Sequence, residues 1–162
     1  MVEKADFSPV EWKKLIQAPL LAGFAVTAAD PSGFFGTLQE AFSEARSLAE
    51  AKASGAGLIK TIAEEILTSS GRADAREGIR TIVQGAKLDE IKDRALEALK
   101  ETTAIIDAKA PSESKAFKGW LAQIAEKVAE AGGEGGFLGF GGVKVSDKER
   151  ATLAEISKIL AV

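Results

Sequence analysis

The sequence predicts an all-α fold, a compact bundle of seven to eight helices, on three observations. Apolar residues recur at steps of three and four in segment after segment. Several of those segments open on Ser or Asp followed three residues later by Glu, the pattern of a helix capping box. No stretch shows the strict alternation of a half-buried strand. With 162 residues, 46% of them hydrophobic, the chain fits one domain, 1–162, able to bury a sizeable core.

Taken in order, Ser8-Pro9-Val10-Glu11 is a capping box with proline at the first helical position, and it starts the first helix. Pro19 is expected to open a second helix, Leu20 to about Ala29, apolar nearly all round. Lys13-Lys14 followed by Leu15–Ala29 has the outline of a signal peptide, with Val26-Thr27-Ala28 as its small-residue site. Glu3, Asp6 and Glu11 spoil the positive region and Pro19 interrupts the apolar run, so a buried central helix is the reading adopted. The run is also short of the roughly 20 residues that span a bilayer.

Asp30-Pro31-Ser32-Gly33 is a turn before a third helix, in which Phe34, Phe35, Leu38, Ala41, Phe42, Ala45, Leu48 and Ala49 share one face. The buried stripe is expected to end at Ala49, with Ala51–Ala53 exposed. After Ser54-Gly55-Ala56-Gly57, a fourth helix turns Leu58, Ile59, Ile62, Ile66 and Leu67 inward and stops near Gly71. Asp74 with Glu77 is expected to cap a short fifth helix holding Ile79, Ile82 and Val83, closed at Gly85. Leu88, Ile91, Ala95, Leu99, Thr102 and Ile106 trace a sixth, ended before Pro111. Phe117, Trp120, Leu121, Ile124 and Val128 trace a seventh, capped by Ser112 or Ser114. Ser146 with Glu149 starts the last, which buries Leu153, Ile156, Ile159 and Leu160.

Composition narrows the function. The formal net charge is −3, and nucleic-acid binders show a clustered basic face, so nucleic acid is not an expected partner. The chain has no Cys, His or Tyr, which removes disulfides, thiolate chemistry, the Ser-His-Asp triad and zinc sites of the usual N/S kind. The absence of cysteine fits a reducing compartment, and a cytoplasmic location is expected. Any catalysis would fall to carboxylates, Lys, Arg, Ser or Thr. Glu64-Glu65 and Asp89-Glu90 are sequence neighbours that point to different helix sectors and read as solvated charges. Trp12 and Trp120, beside Lys13-Lys14 and Lys118, read as aromatics at the edge of the core. A lipid-surface role would want a larger basic face, so membrane contact is not expected.

Residues 132–149 are the most distinctive stretch, with seven glycines and the large apolar Phe137, Leu138 and Phe140 ahead of the Ser146 cap. Backbone N–H groups before a helix can cradle phosphate, but no Gly-Lys-Ser/Thr ending is present. Glu134 and Asp147 would repel an anion. Burying the three side chains contributes about 1.5–3 kcal/mol each. Fixing the loop costs about 1–2 kcal/mol per residue, so these side chains alone do not hold it in one shape. It either folds back over the core with further support or offers an apolar tip to a partner.

Two places look alike: Ala28-Ala29-Asp30-Pro31-Ser32-Gly33 and Ala129-Glu130-Ala131-Gly132 each end a helix and lead into an amphipathic one. The first, with Val145-Ser146-Asp147-Lys148-Glu149 at the second helix start, resembles the tellurite-resistance TerB-like family across about a third of the chain. That resemblance implies a helical fold of this size, built on two helix–loop–helix repeats, with acidic loop residues that bind a metal. Phe34-Phe35 and the long glycine loop depart from the family's pattern, leaving Asp30 and Glu134 as the metal-ligand candidates, with Asp147 and Glu149 nearby. A hard cation wants roughly six to eight oxygens, so the two loops would have to meet.

The resulting expectation is a non-enzymatic binding or scaffold module of TerB-like type, contacting a protein partner or a second copy through Phe137, Leu138 and Phe140. The alternative is a divalent-metal-binding stress-response protein using Asp30 and Glu134. No other cofactor is expected.

Overall fold

The computed structural model describes residues 2–29, 44–133 and 145–162, which form a helical bundle without a strand among the described residues. A 3₁₀ turn, Lys4–Asp6, precedes α1, Pro9–Ala29. There follow α2 (Glu44–Ser54), α3 (Gly57–Ile66), α4 (Ser69–Val83), α5 (Leu88–Lys109), α6 (Pro111–Gly133) and α7 (Asp147–Leu160).

The capping box of α1 forms as its sequence predicts: the Ser8 N–H donates to Glu11 Oε2 (2.7 Å) and the Glu11 N–H to Ser8 Oγ (3.3 Å). Pro19 does not start a new helix. It lies inside α1, which runs through it with residues buried all round, from Leu15 and Ile16 to Val26 and Ala28. An interior proline costs a helix about 3 kcal/mol. Each large apolar side chain buried on either side returns roughly 1.5–3 kcal/mol, so burial of the whole rod outweighs the break. The buried central helix is therefore present, and α3, α4, α5, α6 and α7 all pack against it.

Other boundaries shift for local reasons. Thr68, not Asp74, caps α4: its Oγ1 accepts the Gly71 N–H (3.0 Å) and donates to the Glu65 carbonyl (2.7 Å). The helix then starts at Ser69, and α3 ends at Ile66 instead of reaching Gly71. A Cβ on Gly71 would sit 1.9 Å from the Glu65 carbonyl oxygen, so only glycine fits that corner. Asp74 and Glu77 face Lys13 of α1 instead, at 3.5 and 2.7 Å. Pro111 opens α6 with only Ala110 between it and α5, which puts Ser112 and Ser114 inside the helix and not at its cap. Among the side chains of α2 that are described, Leu48 and Ala51 face inward, while Ala49 is exposed. Leu88, expected inward, is 59% exposed at the start of α5. The last helix opens as predicted, with the Ser146 N–H on Glu149 Oε2 (2.7 Å) and the Glu149 N–H on Ser146 Oγ (3.2 Å).

Candidate functional site

Phe137, Leu138 and Phe140, and the metal candidates Asp30 and Glu134, lie outside the described residues. What the structure does place is the frame on either side. Ala129 is fully buried in α6 shortly before Gly133, and Ile156 anchors α7 beyond the Ser146 cap. The two helices pack on each other.

Two polar clusters among the described residues have the look of chemistry, and both join helices. At the α5–α6 corner the Lys118 ammonium donates to both oxygens of Asp107, at 2.7 and 2.6 Å, and the Ser114 hydroxyl donates to Asp107 Oδ1. These donors hold the Asp107 carboxyl below the usual carboxylate range, the Lys118 hydrogen bond first and that from Ser114 second. The cluster ties α6 to α5. The second cluster gathers Lys4, Trp12 and Glu65. The Trp12 indole N–H donates to Glu65 Oε2 (2.9 Å), Lys4 pairs with Glu65 Oε1 (2.7 Å), and the Lys4 ammonium lies 5.4 Å from the Trp12 ring centroid. Glu65 is thus not a solvated charge: it links the N-terminal turn, α1 and α3.

Between α2 and α6 runs an open groove of about 650 Å³. Trp120 and Ile124 of α6 and Ile59 of α3 supply its apolar surface, with Gly119 beside them. Polar links join its walls. Glu50 of α2 pairs with Lys127 of α6 at 3.0 Å. Near the other end, Glu113 Oε2 accepts the Leu58 N–H at 2.5 Å, so a side chain of α6 caps the start of α3. A smaller cleft of about 340 Å³ lies where Ala28 and Ala29 meet Leu88, Lys92 and Lys148.

No family model, curated protein or solved structure matches the chain. Of the residues that carry the TerB-like resemblance, the described ones are occupied locally. Glu149 closes the Ser146 cap, and Asp147 lies 3.7 Å from Arg150. Among the described residues no three carboxylates gather in a way that could hold a metal ion. Nor is any described helix long and apolar enough to cross a membrane.

Sequence reasoning passed over the groove. Its one advance signal was Gly119, a glycine in the middle of an amphipathic helix where alanine would serve the helix better.

Proposed function

We propose that this protein is a non-enzymatic binding module, TerB-like in kind, that contacts a protein partner through the glycine-rich apolar segment 132–142. Phe137, Leu138 and Phe140 are its contact residues. The observation that carries this reading is the way both stems are fixed. The apolar face of α6 is buried as far as Ala129 and α7 is held at its start by its capping box, so a segment rich in glycine and phenylalanine joins two packed helices. Function concentrates in loops placed by such scaffolds. The polar clusters at Asp107 and Glu65 support the same reading, since their side chains are spent on joining helices.

The test is the double variant Phe137→Ser with Phe140→Ser. Wild-type protein should bind an apolar dye such as ANS while fully helical, and the variant should lose most of that signal with its circular dichroism unchanged. A photo-crosslinking residue at position 137 should then trap the partner in cells. Loss of helicity in the double variant would show that the two rings belong to the core, and the reading would fall.

A further inference from the structure

The described residues that line the groove between α2 and α6 lie outside 132–142, and three observations point to what it holds. Gly119 lies in the interior of α6, where glycine costs about 1 kcal/mol relative to alanine. Its φ is not in the left-handed region, and a Cβ there would meet no atom within 4 Å. By contrast, a Cβ on Gly78 would press within 3 Å of Gln17. The fold therefore has no use for the missing methyl group at 119, whereas the groove does, because the position borders it.

Trp120 supplies the second observation. It is only 9% exposed, yet its indole N–H has no acceptor among the described residues. No unpartnered polar side-chain atom of the described residues is fully enclosed, so that N–H keeps some access to solvent, and Trp120 is one of the residues that line the groove. Buried indoles usually find a hydrogen-bond partner.

Charge is the third. The charged residues lining the groove are Glu50, Lys115 and Lys127, a net of +1. Glu50 pairs with Lys127, and Lys115, exposed on α6, has no ion-pair partner among the described residues. Ser112, another lining donor, sits in the first turn of α6, where the helix dipole favours an anion.

We propose that this groove binds an amphipathic monocarboxylate. Its acid group takes hydrogen bonds from Lys115 and the Trp120 indole, and its apolar body lies over Gly119 against Ile59 and Ile124. The volume suits a small molecule, since ligand pockets run roughly 300–1,000 Å³. A partner helix, about 10 Å across, would have to displace the Glu50–Lys127 pair that joins the two walls.

The experiment uses the full chain carrying Trp12→Phe, so that Trp120 is the single indole. Sodium octanoate is titrated while the Trp120 indole N–H resonance and fluorescence are followed, with octyltrimethylammonium and acetate as controls for charge and tail. Octanoate should shift the indole proton downfield and saturate below millimolar concentration, at least tenfold tighter than either control. Lys115→Glu should weaken octanoate tenfold or more, and Gly119→Leu should abolish binding. Gly119→Ala should raise the thermal midpoint, as expected of a glycine the fold does not need. Equal binding of octanoate and octyltrimethylammonium, or wild-type affinity in both Lys115→Glu and Gly119→Leu, overturns the proposal. So does an unmoved indole resonance at saturation.

Discussion

Gly57 concentrates several constraints in one residue. Its φ is +56°, and a Cβ there would lie 2.4 Å from Glu113 Oε2, the oxygen that caps α3. Alanine would meet left-handed strain of roughly 1–2 kcal/mol and would push the capping carboxylate away. Gly57→Ala should therefore destabilise the fold by about 2 kcal/mol or more in urea unfolding. Glu113→Ala, which leaves the glycine alone, should cost about 1 kcal/mol. Carboxylates elsewhere set the response to acid. Lys109, with the Ser8 N–H next, holds Glu11 down at about 2, and Lys13 holds Glu77 below its ordinary value. Asp107 is lowered by Lys118 and Ser114. All three are depressed in the folded state, so the stability they lend is complete above the unfolded values near pH 4. It drains away as pH falls through the folded values, for Glu11 between about pH 4.5 and 2. The urea midpoint should drop over that window, and Glu11→Gln should flatten the drop. Because these groups are at the surface, added salt should shrink the effect.

At the scale of elements, the helices divide by what holds their ends. α7 relies on the Ser146–Glu149 box and α4 on Thr68. Ser146→Ala and Thr68→Ala should each cost about 1 kcal/mol. Hydrogen exchange should report the Ser146 loss as faster exchange in the first turn of α7, with α5 unaffected. The Ser146 box was legible because both partners sit in the same four residues. Thr68 was not, since the residue three places on is Gly71, which has no side chain to return a bond to the cap and so leaves only half of the box pattern in the sequence. Pro19 was misread for a related reason. Local propensity says that proline ends a helix, and only the presence of five packing helices makes continuing through it the cheaper course.

Over the whole molecule, helix periodicity was enough to name the class and most inward residues, because Phe117, Leu121, Ile124 and their like repeat on one face. It could not show which helices adjoin, so the groove between α2 and α6 and the capping of α3 by Glu113 stayed out of reach. Both arise between segments more than fifty residues apart. The core should behave as one unit around α1. Leu15→Ala empties a fully buried site and should cost about 2–5 kcal/mol, with near- and far-ultraviolet signals still melting together.

That arrangement also has a consequence for biosynthesis. α1 precedes all five of its wrapping helices in the chain, the last being α7. A ribosome therefore extrudes the greasiest rod first and must make well over a hundred more residues before its final cover arrives. Until then the nascent polypeptide carries an oily strip that invites clumping, which makes it a natural client for a chaperone at the exit tunnel.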